Sequence, residues 1–431
     1  MTVAIASLSA RAVDRWLSFE AGVPLLLILG SALTAPLLAV GSLTLTGDRM
    51  LGLGAVAVTI GLVLRRRLHW TPIHSALVVF VGVQLVTTAL NATAWPRGLR
   101  FVTVYGLGFA CFCVAAECAR SVDGRRRFTA CWIAVGAAIG VVGTVVAMWA
   151  NLSQQLVWGT GIAQALFFDP EKPRLVFACK VTFGEWNLLS SFLLVPFALG
   201  LWLWRRESDA GPGPWRLLAP LAALVLGLSF GFTRAAWLAT GGIIALWWWA
   251  TRPRRPQLAA LASILALAFL LELAAVGIEP FESRVVGPIT TGVDWNVAGR
   301  IAISRATIAS WLTRPVLGHG AGSITRLSVV LPDGRRIDKI WNGNLVLFVL
   351  HDSGVLGLAA LAGFGVAVWR RGARAVARGG DGAGPNLAAP LLVVGGALCF
   401  AYQFTHALWL MYPYVYLGLL TAATDDGAPR A

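Results

Sequence analysis

Apolar runs long enough, or nearly long enough, to cross a lipid bilayer make up most of this chain, and short polar connections separate them. A transmembrane α-helix needs about 20 apolar residues, because the hydrocarbon core of a bilayer is about 30 Å thick. Backbone groups in lipid have no water to bind, so a spanning segment forms its hydrogen bonds internally, as a helix does. Runs of this kind lie at residues 22–43, 50–64, 75–91, 99–119, 128–149, 186–204, 215–232, 235–251, 257–276, 344–369, 387–406 and 407–424. The sequence therefore predicts an all-α polytopic membrane protein of about twelve transmembrane helices, with residues 1–431 as a single integral-membrane domain.

Composition excludes the soluble classes of protein. Hydrophobic residues make up 57% of the chain and charged residues 13%, whereas soluble domains carry roughly 25% charged residues. The net charge of +15 comes from short arginine clusters between the apolar runs, not from one basic face of the kind that binds nucleic acid. The six cysteines follow no metal-ligand spacing. We therefore expect no nucleic-acid partner, no metal ion and no cofactor.

Arginine clusters occupy alternate connections, at 65–67, 120–127, 205–216, 252–255 and 370–378. Short loops rich in Lys and Arg remain in the cytoplasm when a membrane protein inserts. The pattern predicts that these connections and both chain termini are cytoplasmic, and that the remaining connections lie on the outer face of the membrane.

Two long insertions interrupt the predicted outer face, at 150–185 and 277–343. Long loops in compact folds commonly carry function. An amphipathic pattern in the second insertion predicts a helix from about Gly299 to just before Pro315, since proline disfavours a helical residue ahead of it. Arg300 would lie in the first turn of this helix. We expect the long loop 277–343 to hold substrate-binding and catalytic residues, with 150–185 as a second outer loop.

Small and charged residues in the long loop add detail to this interpretation. Gly318, Gly320 and Gly322 follow the predicted helix and permit a tight backbone that can approach a ligand closely. Arg305 lies on the polar side of the helix, where contact with substrate competes with the plainer interpretation of a solvated face.

Arg234 and Arg300 each stand beside an apolar run on the predicted outer face. A cation without a partner at membrane depth costs about 3 kcal/mol or more. Each arginine therefore predicts an anionic partner, such as the phosphate of a lipid-linked substrate. Plainer alternatives exist, because Arg234 could extend to the headgroups from a helix end and Arg300 could be solvated at a helix N-terminus.

Three motifs give a more specific indication. They are Thr233-Arg234-Ala235-Ala236-Trp237 after a short outer turn, then Arg300, Trp311, Pro315, Gly318 and Gly320 in the long loop, and finally Asn344, Asp352, Gly354 and Gly357 in the next helix. In this order and on one face, the motifs resemble those of the O-antigen ligase and O-antigen polymerase superfamily of membrane glycosyltransferases. The resemblance covers roughly residues 180–425.

The resemblance implies a fold, a reaction and a location. The fold is a GT-C-like helical bundle in the bacterial cytoplasmic (inner) membrane, with its active site facing outward. The reaction moves a sugar or glycan from a polyprenyl-(pyro)phosphate carrier to a hydroxyl of a glycan or glycolipid acceptor, inverts the anomeric centre and needs no metal ion. In that family two such arginines hold the pyrophosphate. The residues that we expect to bind substrate are Arg234, Arg300, Arg305, Asn344, Trp311 and Trp341, the tryptophans because aromatic faces stack on sugar rings.

The chain departs from the family at Gly343, the position where the family ligases carry a histidine that activates the acceptor hydroxyl. Another general base is therefore required, and it must reach the hydroxyl proton at about 2.6–3.2 Å. The candidates are Asp338 and His319, ranked first because they lie in the long loop, followed by Asp352 and Glu185. A structural pair with His351 is an equally good interpretation of Asp352, since ionisable groups inside a span usually meet one another.

A polyprenyl-linked glycan flippase or another multi-helix transporter is the alternative function. Such proteins also need inward-facing arginines, but they typically show broken helices in paired halves of the chain. A structural partner in an envelope-assembly complex is a third class, and it would tolerate loss of both arginines.

Overall fold

The architecture was analysed in a computed structural model. It describes residues 22–34, 36–40, 43–91, 95–154, 163–167, 176–210, 214–277, 295–330, 334, 336–338, 340–378 and 387–425.

The described chain contains thirteen α-helices and three short antiparallel hairpins. The helices are α1 (Gly22–Ala32), α2 (Gly47–Leu64), α3 (Pro72–Ala89), α4 (Trp95–Cys118), α5 (Val122–Ser153), α6 (Trp186–Ala210), α7 (Leu218–Ser229), α8 (Arg234–Thr251), α9 (Arg255–Val276), α10 (Trp295–Trp311), α11 (Leu345–Ala377), α12 (Ala388–Ala401) and α13 (Tyr412–Ala423). The strands are β1 (Pro36–Val40), β2 (Leu43–Thr46), β3 (Ala163–Phe167), β4 (Val176–Cys179), β5 (Ser328–Val330) and β6 (Arg336–Asp338), and each odd strand pairs with the next even one.

Seven of the described helices, namely α2, α3, α4, α5, α6, α9 and α11, are long and apolar enough to cross a membrane. The predicted class of helical membrane protein is therefore confirmed. Several other predicted spans are shorter than a crossing requires, because α1, α7, α12 and α13 have only 11 to 14 residues.

The first predicted span, 22–43, is wrong in its second half. Helix α1 ends at Ala32, and the chain then forms the β1–β2 hairpin from Pro36 to Thr46. Proline has no backbone N–H to continue a helix. The Thr34 hydroxyl also donates to the backbone oxygen of Thr182 at 3.0 Å, which ties this segment to the chain ahead of α6.

Helix α6 forms the centre of the bundle, since nearly every residue from Leu188 to Leu201 is buried. A helix that is apolar on all sides is expected in such a position. Small residues let its neighbours α5 and α7 approach closely, because a Cβ at Gly140 would lie 2.4 Å from the backbone oxygen of Ala223. Glycine at such helix contacts is typical of membrane bundles.

The arginine clusters share one end of the bundle, which we call the basic end. Arg125 donates to the backbone oxygen of Ala422 at 3.4 Å, and Arg371 pairs with Asp425 at 2.7 Å. Arg205 donates to the backbone oxygen of Thr251 at 3.1 Å. The opposite end carries the starts of α6, α8 and α11 and the end of α12, and we call it the Arg300 end.

Candidate functional site

Arg300 lies in the second turn of α10, one turn deeper than predicted, because the helix begins at Trp295. Its guanidinium is partly buried and donates to the backbone oxygen of Phe404 at 2.5 Å. Phe404 follows the end of α12. The side chain therefore points from the long loop onto the end of the helical bundle. Arg300 is less exposed than a residue at a solvated helix N-terminus, which was the plainer interpretation.

Glu185 is the carboxylate that the structure brings into the neighbourhood of Arg300. It directly precedes α6, and it is exposed. Neighbouring protein atoms partly desolvate this carboxyl and raise its pKa above its ordinary value, whereas the positive charges of Arg300 and Lys180 act in the opposite direction. A raised pKa is a property expected of a carboxyl that acts as a general base.

Arg234 is the first residue of α8 and is also partly buried. The preceding residue, Thr233, donates to the side-chain oxygen of Asn187 at 3.0 Å and accepts from Ser190 at 3.2 Å. Both partners lie in the first two turns of α6, just after Glu185. Arg234 and Arg300 are thus brought to the same end of the bundle, around the start of α6.

Gly343 has no room for a side chain. A Cβ at this position would lie 2.1 Å from the backbone oxygen of Phe404 and 3.4 Å from the nearer guanidinium nitrogen of Arg300. A histidine at position 343, as in the ligases that the sequence resembles, therefore could not fit without a shift of the backbone at Phe404. Arg300 occupies part of the surrounding space instead.

Trp341 lies on the non-helical segment just before α11 and is partly buried. Its ring stacks on His406 with centroids 5.1 Å apart, and it packs against Phe348 at 5.2 Å. The backbone N–H of His406 donates to the oxygen of Gly343 at 3.0 Å. Of the two tryptophans predicted to bind substrate, Trp341 is the one that lies beside the contact between Arg300 and Phe404.

Asp352 is fully buried in α11, and four groups contact its carboxylate. The backbone N–H groups of Gly322 and Ile324 donate at 2.6 and 3.3 Å, and the Ser323 hydroxyl donates at 3.1 Å. The ring of His351 lies 3.0 Å away. A carboxylate engaged in this way anchors the loop and has little capacity left for an acceptor hydroxyl.

The glycine segment of the long loop packs against a break in α11. Gly354 has φ 64° and ψ −161°, a conformation that only glycine adopts readily. The backbone groups freed by this break bond to the loop, since His319 N–H donates to His351 oxygen at 3.0 Å and Gly320 N–H to Asp352 oxygen at 2.8 Å. The glycines therefore permit close contact between two backbones, and the predicted close approach to a ligand stays a prediction.

His319 lies on this docked segment, away from Phe404 and Gly343. Its ring stacks on His351 at 4.9 Å, and Nε2 lies 2.9 Å from the backbone oxygen of Ser310. Burial lowers the pKa of His319, and the contact with Ser310 acts in the opposite direction. Through these two contacts the imidazole links α10 to α11.

The other predicted residues have local roles. Asp338 is on the exposed β5–β6 hairpin and pairs with Arg336 at 3.0 Å. Asn344 caps α11, with its side-chain oxygen accepting from Leu347 N–H at 2.9 Å. The indole of Trp311 donates to the backbone oxygen of Pro315 at 3.0 Å. Arg305 is exposed on α10.

Sequence reasoning missed two parts of this site. The backbone oxygen of Phe404 is far from Arg300 along the chain, and no pattern in the sequence marks it. The second part is His406, whose ring stacks on Trp341. The signal that could have identified His406 is its place in the sequence, since it is an ionisable residue at the end of an apolar run.

Comparison with protein-family models gives no match to the chain, and a search of curated proteins gives no similar sequence.

Proposed function

We propose that the protein is a membrane glycosyltransferase that moves a sugar or glycan from a polyprenyl-(pyro)phosphate carrier to an acceptor hydroxyl at the outer face of the bacterial cytoplasmic membrane. The observation that carries the proposal is that Arg300 and Arg234 lie at the same end of the bundle, where the carboxyl of Glu185 is within the electrostatic influence of Arg300. Cations and a carboxyl with a raised pKa are the groups that this reaction needs.

The arginines bind and stabilise the phosphate. A guanidinium offers planar, paired donors that match two phosphate oxygens. As the bond from the anomeric carbon to the phosphate oxygen breaks, negative charge grows on the leaving group, and fixed cations stabilise that charge. The bonding electrons leave with the phosphate.

Glu185 is the general base that the geometry favours among the four candidates. Asp352 is engaged by the loop, and Asp338 is exposed and paired with Arg336. His319 is committed to Ser310 and His351. Glu185 lies within the electrostatic influence of Arg300. It would take the acceptor proton while the acceptor oxygen bonds to the anomeric carbon from the face opposite the phosphate, which inverts that centre.

An apolar stripe on α10 suits the lipid part of the donor. Val297, Ile301 and Ile308 are 39–47% exposed and recur at helical spacing. An amphipathic helix with such a stripe lies in the membrane interface. The polyprenyl chain could then run along α10 while its phosphate meets Arg300.

A transporter remains the second candidate, because α11 is broken at Gly354 and broken helices are typical of transporters. In those proteins the freed backbone groups face a substrate. Here four of them bond to the loop, through His319, Gly320, Pro315 and Val316. This observation favours the enzyme.

Alanine variants of the two arginines test the proposal. In proteoliposomes that contain lipid-linked glycan and acceptor, Arg300→Ala and Arg234→Ala should each lower the transfer rate about 100-fold, since one lost transition-state donor costs about 3 kcal/mol. Arg126→Ala, exposed at the opposite, basic end of the bundle, is the matched control and should retain most of the activity.

Transfer that survives in both Arg300→Ala and Arg234→Ala would contradict the enzyme hypothesis. Movement of labelled lipid across the bilayer without any change in its glycan would favour the transporter instead.

A further inference from the structure

His406 is fully buried, and neither of its ring nitrogens has a hydrogen-bond partner among the described residues. The imidazole packs against Trp341, at 5.1 Å, and against Phe348, at 4.2 Å. Burial lowers the pKa of His406 to about 3, so the ring is neutral and offers one donor and one acceptor. Buried polar atoms without partners are uncommon in folded proteins and call for an explanation.

A second residue in the same cluster has such an atom. The indole nitrogen of Trp409 is buried and has no partner among the described residues, and its ring meets Trp341 edge to face at 6.2 Å. Three unpartnered nitrogens therefore belong to rings that contact Trp341. None of the three groups carries a charge, so the cluster is suited to hydroxyl groups and not to phosphate.

The cluster adjoins the proposed phosphate site through the backbone. His406 N–H donates to Gly343 oxygen at 3.0 Å, and Phe404, two residues earlier, accepts from Arg300 at 2.5 Å. A group attached directly to a phosphate held by Arg300 would reach this cluster first. In the carrier lipid that group is the sugar.

We propose that Trp341, His406 and Trp409 form a subsite for the first sugar of the lipid-linked donor. This inference rests on the proposed function. Trp341 is partly exposed and lies on the non-helical segment ahead of α11. It covers His406 until the ligand arrives, and on binding it turns aside so that the sugar ring lies against its face. The sugar hydroxyls then pair with the His406 nitrogens and the Trp409 indole.

Two ligands that differ only in the sugar isolate this subsite. The affinity of the full chain in nanodiscs is measured by native mass spectrometry for polyprenyl pyrophosphate alone and for the same lipid carrying glucose, galactose, mannose or N-acetylglucosamine. The wild-type chain should bind at least one glycosylated lipid roughly tenfold more tightly than the bare lipid, as one or two added hydrogen bonds would provide.

His406→Phe keeps the packing but removes both nitrogens, so it should bind bare lipid like the wild type and lose the gain from the sugar. His406→Gln, which can still donate and accept hydrogen bonds, should recover part of the gain in affinity from the sugar. A full gain in His406→Phe, or no gain with any sugar in the wild type, would overturn the subsite while leaving the phosphate site intact. Failure of the bare lipid to bind at all would refute the proposed function, and the subsite with it.

Discussion

At the scale of single residues, Glu185 shows how opposing effects set the behaviour of one carboxyl. Desolvation by neighbouring protein atoms is the larger effect and raises its pKa, while Arg300 and Lys180 act to lower it. Without the cations the carboxyl would hold its proton to a higher pH. The balance determines the pH at which Glu185 can accept a proton from an acceptor.

The first prediction concerns the pH profile of transfer. Glu185 acts as a base only when ionised, so the rate should rise with pH through its folded-state pKa, above the ordinary glutamate value. Lys180→Met removes a charge that lowers this pKa and should move the acidic limb to higher pH. Glu185→Gln should lower kcat by about 100-fold or more, a typical loss for a general base.

The kcat of each variant, measured between pH 4 and 9 in proteoliposomes, checks this assignment. An unchanged acidic limb in Glu185→Gln would show that another group is the base.

At the scale of elements, the docking of the long loop on the broken α11 is the most constrained feature of the Arg300 end. The break exposes backbone groups that lipid cannot satisfy, and the loop supplies their partners. Asp352 reinforces the contact by binding the loop backbone beyond Gly320. The loop thus has a fixed position on the bundle, and α10 with Arg300 is carried on it.

The second prediction tests this docking. A Cβ at Gly354 would lie 2.2 Å from the backbone oxygen of Val316, and its φ is positive. Gly354→Ala should therefore destabilise the protein by at least about 2 kcal/mol. Thermal unfolding of the purified chain in detergent measures the loss.

Gly363→Ala provides the matched control on the same helix, because no atom lies within 4 Å of its Cβ position. It should be neutral, or more stable by up to about 1 kcal/mol, as alanine favours a helix over glycine. Equal Tm values for the two variants would mean that the loop does not dock on α11 as described.

At the scale of the whole molecule, charge separates the two ends of the bundle. The arginine clusters lie at the basic end, and the proposed site lies at the other. The positive-inside rule assigns the basic end to the cytoplasm, so the Arg300 end should face outward.

The third prediction is that labelling will follow this orientation. In a Cys399→Ser background, which removes the one exposed cysteine among the six, an impermeant maleimide should label Ser328→Cys in intact cells. Asp123→Cys, exposed at the basic end, should react only after the membrane is permeabilised. The reverse result would place the proposed site in the cytoplasm.

Local pattern predicted several elements well. Helix α10 was expected from about residue 299 and begins at Trp295, since its apolar spacing and Pro315 mark a helix clearly. The β1–β2 hairpin was missed, because its strands are as apolar as the span they were assigned to. Gly354 was recognised as part of a motif, but its role as the break in α11 depends on a loop more than 30 residues earlier.

Hydrophobicity is additive along a chain, so the sequence by itself determined that this protein is a helical membrane protein with arginine clusters in alternate connections. Only the tertiary structure showed which of the four candidate bases lies near Arg300, namely Glu185. It also showed that the backbone of Phe404 leaves no room for a side chain at position 343. Those outcomes depend on how α6, α10, α11 and α12 pack against one another, and segments so far apart in sequence leave no local pattern from which their contacts could be derived.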